Sequence, residues 1–323
     1  MKAWEGFYKN IIRSELVKNG DRILLAVSGG ADSMSMLHMF WRLSKKIKID
    51  IAVLNLNHGL RKESSREAKQ VLNFCKKLAI TCMLGRLLVK EYSKAAKISI
   101  ETAARELRYA ALEDAATKHK FNKIATAHNA NDNAETVLMW LLRGSGNFSG
   151  IPQTRKISKK IEIIRPLLSV RRTLIDEYVK KQKLPFSTDK SNFSLEYTRN
   201  KIRHTVVPAV EKINPLALER IFSLSRIQER EDAYLEAISI NFLKKCAKIS
   251  KNRILLDLPT FLRYNETIRF RILKNLIPDK KYSAVIDLIS DKILSKDKSV
   301  FKLSSQWSFS VKGNKAVFSK IKK

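Results

Sequence analysis

The stretch Ile23-Leu24-Leu25-Ala26-Val27-Ser28-Gly29-Gly30-Ala31-Asp32-Ser33 decides the fold. Its apolar, branched first half reads as a buried strand, Gly29-Gly30 allows close approach of backbone to a ligand, and helical spacing resumes at Met34, Met36, Leu37 and Phe40. Strand, loop and helix in that order put unpaired backbone N–H groups and the positive end of a helix dipole at Ser28–Ser33, where an anion satisfies them. Ser28 and Ser33 add hydroxyl donors. Asp32 repels a phosphate unless a magnesium ion stands between them, or else it serves as a base. The loop lacks the Gly-Lys-Ser/Thr of a Walker A motif and is not Gly-x-Gly-x-x-Gly. A Gly-Gly pair alone is also compatible with a plain strand-to-helix turn.

Outward from this loop, strands are predicted at 49–56, 81–88, 122–127 and 161–168. Helices are predicted at 4–18, 63–78 and 98–119, and one opens after residue 127. Strand and helix in alternation imply an α/β, doubly wound parallel sheet, whose ligands sit beyond the carboxyl ends of the strands. Two such ends are polar: Asn57-His58-Gly59-Leu60-Arg61 and Thr126-Ala127-His128-Asn129-Ala130-Asn131-Asp132-Asn133-Ala134-Glu135-Thr136. His128, Asp132 and Glu135 stand at i, i+4 and i+7, so an imidazole and two carboxylates are expected on one helix face. That set can hold magnesium, orient an amine or shuttle a proton. Glu101, Arg105 and Arg108 share the same spacing; a solvated, salt-bridged face is the ordinary account of such a row.

The 323 residues carry 63 Lys plus Arg against 31 Asp plus Glu, a formal charge of +32 that points to a polyanionic partner such as nucleic acid. No apolar run reaches membrane-spanning length and the N-terminus lacks a signal-peptide core, so a cytoplasmic protein without membrane contact is expected. Cys75, Cys82 and Cys246 form no Cys-x-x-Cys pair, which argues against a disulfide framework or an iron–sulfur site. From Arg155 to Thr205, 14 basic side chains face 5 acidic ones. This segment holds Asp189-Lys190-Ser191-Asn192 and Arg199-Asn200-Lys201-Ile202-Arg203, and reads as a ligand-contacting surface. After Asn214-Pro215 a long helix runs to 249. The remainder, 250–323, mixes helices at 260–276 and 283–294 with a strand pair, 301–310 and 315–319, turned at Gly313-Asn314.

Ser-Gly-Gly-x-Asp-Ser after a buried strand resembles the pyrophosphate loop of the N-type ATP pyrophosphatases. Together with His58-Gly59-Leu60-Arg61, Arg105, Arg108-Tyr109, Thr126-Ala127-His128, Asp132, Ala134-Glu135-Thr136, Leu142-Arg143-Gly144-Ser145-Gly146, Arg165-Pro166-Leu167 and the 189–203 stretch, it is similar to the tRNA(Ile)-lysidine synthetase family over about residues 1–208. Where that family carries an acidic residue before His-Gly-Leu-Arg, this chain has Asn57.

The resemblance implies a catalytic domain at 1–213, its sheet ending near 185 and a basic tRNA-contacting segment filling 186–213. A linker helix at 214–249 and a small basic α+β tRNA-binding domain at 250–323 follow; the further C-terminal domain of longer members is not expected. It implies ATP-dependent attachment of free L-lysine to the wobble cytidine of a CAU-anticodon isoleucine tRNA, with oligomeric state open, a homodimer included. Ser28, Gly29, Gly30, Ala31, Asp32 and Ser33 would bind ATP, Asp32 would hold magnesium or deprotonate the amine, and Arg105 with His128 would serve the adenylate. Asp132 with Glu135 would serve the lysine, and Arg199, Lys201 and Arg203 would contact tRNA. Two rivals are a tRNA thiolase, which would need catalytic cysteines or a cluster, and a non-catalytic basic RNA-binding protein on a degenerate nucleotide fold.

Overall fold

The computed structural model describes residues 2–57, 64–144, 148–187, 198–277, 283–304 and 306–321. It divides into two units, Met1–Gln228 and Glu229–Lys323. His58-Gly59-Leu60-Arg61, Ser145-Gly146 and Asp189-Lys190-Ser191-Asn192 lie outside the described residues.

In the first unit α1 (Lys2–Arg13) precedes β1 (Arg22–Ala26), α2 (Ala31–Ser44), β2 (Asp50–Asn57), α3 (Ser64–Lys77), β3 (Thr81–Arg86), α4 (Val89–Ala96), α5 (Ile100–Lys118), β4 (Lys123–Ala125), α6 (Ala130–Leu142), β5 (Thr154–Lys156), β6 (Glu162–Ile164) and α7 (Arg172–Lys181). The strands form one sheet in the order β3-β2-β1-β4-β6-β5. All neighbours are parallel except β5 and β6. Chain order reverses across β1, with β2 on one side and β4 on the other, so the crevice beyond their carboxyl ends is a topological switch point. Strand residues Ile23, Leu25 and Val53 pack with Met34, Leu37 and Phe40 of α2 and with Phe7 and Ile11 of α1. On the other face Leu24, Ala52 and Ile124 meet Leu112 and Ala116 of α5. The chain then continues as α8 (Thr198–Lys201), a π-helical turn at Ile202–Val206, α9 (Val207–Ile213) and α10 (Ala217–Cys246).

The doubly wound sheet expected from the alternating pattern is present, and several elements are shorter than their apolar runs. The run at 161–168 pairs only over Glu162–Ile164, because Arg165 to Val170 turns back on itself through Leu168 N–H to Arg165 O (3.3 Å) and Val170 N–H to Leu167 O (2.8 Å). Helix α4 escaped the periodicity reading since Val89 is its one buried residue.

The second unit, in which α10 ends, continues as β7 (Ala247–Ile249), β8 (Arg253–Asp257), α11 (Leu258–Leu262), α12 (Glu266–Leu276), α13 (Ser283–Leu294), β9 (Phe301–Lys302), β10 (Trp307–Lys312) and β11 (Lys315–Lys320). Its sheet, β7-β8-β11-β10-β9, is antiparallel throughout. Leu256, Phe309 and Phe318 pack against Ile272 and Leu273 of α12 and Ile289 and Ile293 of α13. The hairpin expected at Gly313-Asn314 forms between β10 and β11, with Gly313 at φ +57°, while the single strand expected at 301–310 is divided between β9 and β10, which pair antiparallel. Among the described residues no helix is long and apolar enough to cross a membrane.

Gly150 has φ +63°, and a Cβ there would stand 2.3 Å from Asn133 Oδ1, an atom already accepting the Ile151 N–H at 2.8 Å. Gly150→Ala is expected to cost about 2 kcal/mol, roughly 5 °C in Tm, because backbone strain and overlap add. An unchanged melting curve would contradict this. A second prediction concerns His38, whose Nδ1 is 2.8 Å from the Tyr178 hydroxyl. Burial, aided by Arg42, lowers its pKa to about 4. The unfolded chain binds this proton more readily, so the stability that neutral His38 contributes is present above about pH 6.5 and is lost as pH falls towards 4. His38→Gln is expected to flatten the dependence of Tm on pH across that window.

Candidate active site

The switch-point crevice is lined by the phosphate loop, by Thr126, Ala127 and His128 from the β4–α6 connection, by Asp132 of α6 and by Arg108 of α5. The loop enters the site under two restraints: the Val27 N–H donates to Leu54 O at 3.1 Å, and Asn55 Nδ2 donates to Val27 O at 2.7 Å. Gly29 turns the chain at φ +97°. Buried Ser33 braces the turn, its hydroxyl donating to Gly30 O at 2.9 Å and accepting the Gly29 N–H at 3.2 Å, with Ser28 Oγ 3.2 Å away. Helix α2 therefore starts at a shaped loop, with no side chain capping its first N–H groups.

Asp32, in the first turn of α2, is bound on both oxygens. Asn129 Nδ2 donates to Oδ1 at 3.0 Å and Arg172 Nη1 to Oδ2 at 2.6 Å. Burial nevertheless pushes its pKa up to about 6 against the pull of Arg172, with the Asp132 charge adding to the rise. Asn129 is itself the N-cap of α6: its side chain accepts the Asp132 N–H, and Asp132 Oδ2 accepts the Asn129 N–H, both at 3.0 Å. His128 therefore lies in the turn ahead of α6, not on the helix face that its spacing suggested. It reaches the same crevice as Asp132 from there.

Asp132 and Glu135 do share a face, and two guanidiniums cover it. Glu135 is 1% exposed and accepts Arg199 Nε at 2.7 Å, Arg203 Nε at 2.6 Å and Arg203 Nη2 at 3.0 Å. Arg199 Nη2 and Arg203 Nη2 also reach Asp132 Oδ1, at 3.1 and 3.4 Å. Of the three cations that the sequence reading gave to tRNA, Arg199 and Arg203 are thus committed to internal ion pairs, and Lys201 between them is exposed.

The other flank of His128 is cationic. Arg155, Arg105 and Arg108 stand 4.7, 5.1 and 5.5 Å from the Tyr109 ring centroid. Buried Arg165 joins them, anchored by Nη1 to Pro152 O at 2.5 Å. Burial opposes ionisation of the Tyr109 phenol, but the charges of Arg165, Arg105 and Arg108 outweigh it and lower its pKa. His128, with Nδ1 3.1 Å from Thr126 Oγ1, is held well below the usual imidazole value by burial first and then by Arg165, Arg108, Arg199 and Arg105. It is neutral at pH 7. Arg105 is exposed, while Arg108 from the same face lines the crevice.

Sequence reasoning did not assign Asn129, Arg172, Arg155 or Arg165. Asn129-x-x-Asp132 is a readable capping spacing, but nothing local announces Arg172, which meets Asp32 across 140 residues.

A serine- and glycine-rich loop at the switch point of a parallel sheet, without a Walker lysine, defines a PP-loop protein. A family model described as "PP-loop domain" matches residues 3–210. The tRNA(Ile)-lysidine synthase of Thermosipho africanus is 45% identical over 212 residues, covering 66% of this chain and 49% of that protein. The enzyme of the same name from Petrotoga mobilis is 37% identical over 267 residues, 83% of this chain and 84% of that protein. The chain belongs to the tRNA(Ile)-lysidine synthase family, and it spans about half the length of several of the curated relatives it matches. In fold it also resembles the U34-tRNA thiolase NcsA from Methanococcus maripaludis with its [4Fe-4S] cluster, at TM-score 0.61 and 19% identity over 71% of this chain and 79% of that one.

Removing one partner of a buried ion pair strands the other charge. Arg203→Ala is therefore expected to destabilise the first unit by about 2–3 kcal/mol, while Lys201→Ala stays within about 0.5 kcal/mol. Urea unfolding of both variants measures the contrast, and equal midpoints would refute the pairing.

Proposed function

We propose that the chain joins L-lysine to carbon 2 of the wobble cytidine of a CAU-anticodon isoleucine tRNA, using ATP and releasing AMP and pyrophosphate. The product is lysidine, and the codon read changes from AUG to AUA. The observation that carries this reading is one crevice in which the phosphate loop, the Arg108 guanidinium and the carboxylates of Asp32 and Asp132 meet around a neutral imidazole. Family membership supports it. The tRNA and the reaction imply a cytoplasmic enzyme.

In the first step cytosine O2 attacks the α-phosphorus of ATP, the bond to the bridging oxygen breaks, and pyrophosphate leaves with the electron pair. The Ser28–Ser33 loop receives the β- and γ-phosphates through backbone N–H groups, and Arg108 and Arg105 offset charge at the α-phosphate. In the second step the lysine amine attacks carbon 2, AMP departs with the C–O electron pair, and the nitrogen loses a proton. Asp32, with its pKa near 6, suits that proton. Asp132, which lines the crevice, suits the substrate ammonium, with Arg199 and Arg203 behind it fixing the carboxylate in place. Neutral His128 can donate one hydrogen bond to the adenylate without adding charge.

The alternative role for Asp32 is to hold magnesium, since this carboxylate lines the crevice at the phosphate loop with Asp132 as a second carboxylate in the same lining. The ion, when bound, supplies charge neutralisation on the nucleotide phosphates. Lys201 and the basic second unit are proposed contacts for the tRNA.

Incubation with ATP, labelled lysine and transcripts of the isoleucine and methionine tRNAs is expected to label the former alone. Asp32→Ala should lower transfer at least a hundredfold and leave the far-UV spectrum unchanged. Glu135→Gln should raise the KM for lysine while tRNA-dependent pyrophosphate release continues without lysine; loss of both would assign the acidic pair to ATP instead.

A further inference from the structure

A second cationic surface lies behind the phosphate loop, and the proposed reaction does not use it. Arg66, Lys69, Asn73 and Lys77 of α3 line a groove whose other wall holds Lys183 and Pro185, beyond the end of α7. Their spacing of three, four and four places them in one stripe along α3, about 16 Å long at 1.5 Å per residue. Val71 and Cys75 bury the opposite face of the helix, so the stripe is outward by construction. Phe74, which packs on the core, lends the groove an aromatic wall.

The charge is one-sided. Arg66, Lys69, Lys77 and Lys183 are exposed, and none has an ion-pair partner among the described residues. The one acidic residue of described α3, Glu67, sits elsewhere on the helix, with its Cβ against Gly29. A face that was merely solvated would interleave carboxylates with its lysines. Lys183 also holds a left-handed φ of +49°, an uncommon conformation for a side chain of this kind, fixed by Lys183 N–H to Lys180 O (3.2 Å) and Leu184 N–H to Val179 O (3.0 Å).

The groove adjoins the active site. Ser187 donates its N–H to Gly29 O at 3.0 Å and its hydroxyl to Gln70 Oε1 at 3.1 Å, so one residue ties the wall of the groove to the phosphate loop. A strand of RNA whose reactive base enters the crevice carries its neighbouring phosphates away from it at regular intervals, and a stripe of unpaired cations beginning beside the loop fits that backbone.

Resting on the reading of the chain as a tRNA-modifying enzyme, we infer that the groove between α3 and Lys183 is a docking track for the sugar-phosphate backbone of the bound tRNA, working by charge and without base readout.

The test neutralises Arg66, Lys69, Lys77 and Lys183 to Gln together in the full chain. It measures tRNA affinity across a salt series, together with the KM for tRNA and kcat for lysine transfer. Four lost phosphate contacts should make the slope of log K against log salt shallower by roughly 3 and weaken binding at least tenfold, with kcat at saturating tRNA unchanged. The single variants Lys77→Gln and Lys183→Gln, on separate elements, should each lower the slope by about 1, which keeps the test open if the quadruple variant folds poorly. An active parent with an unaltered slope and KM in the variants would overturn the track and leave the proposed reaction standing. A parent that neither binds nor modifies tRNA would overturn the reaction first. Lost affinity for inorganic pyrophosphate, with the tRNA slope intact, would mean a small-anion site and would also overturn the track.

Discussion

A carboxylate removed from water must find cations or give up its charge, and Glu135 is the place where that constraint organises this protein. It lies in the first turns of α6, 1% exposed, and its partners Arg199 and Arg203 come from a segment 64 and 68 residues further along. Satisfying it holds the segment that follows the sheet against α6. The same fork reaches Asp132, whose main chain is locked to Asn129, whose amide in turn holds Asp32. Sheet, phosphate loop and later helices are thereby bound through one run of charge-assisted hydrogen bonds, each stronger for being out of bulk water.

The run sorts the crevice electrostatically. Three carboxylates, Asp32, Asp132 and Glu135, stand on one flank with Arg172, Arg199 and Arg203 against them. On the other flank, Arg105, Arg108, Arg155 and Arg165 gather at Tyr109. Between them the titratable groups are driven apart: Asp32 upward, chiefly by burial, and His128 downward by burial and the arginines. The crevice thus holds a carboxyl able to take a proton near neutrality beside an imidazole that stays uncharged, two environments set apart within one site.

Much of this was legible in the residues. Buried strands announced themselves as Ile, Leu and Val runs, and Ser28 to Ser33 combined glycines, hydroxyls and a carboxylate in a way few structural turns need. Asp132 and Glu135 followed from helical spacing. His128 lines the crevice, but the helical spacing that singles it out does not hold, since Asn129 starts the helix after it. What could not be read was pairing at a distance. Arg172 for Asp32, and Arg199 and Arg203 for Glu135, are ordinary surface-type cations in sequence, and only the folded path makes them neighbours. The α4 helix was missed because it has almost no buried face from which a period could be taken.

The π-turn at Ile202–Val206 changes the meaning of spacing in this segment. In an α-helix Ile202 and Val207, five residues apart, would point about 140° away from each other. Here the Val207 N–H closes onto Ile202 O, and both side chains are buried in one cluster with Ala134 of α6 and Leu218 of α10. The wide turn thus acts as a phase shifter, absorbing a single residue so that the hydrophobic seam stays in register while Arg199 and Arg203 keep a four-residue interval on the acidic pair. A helical period read straight through this turn slips by one residue.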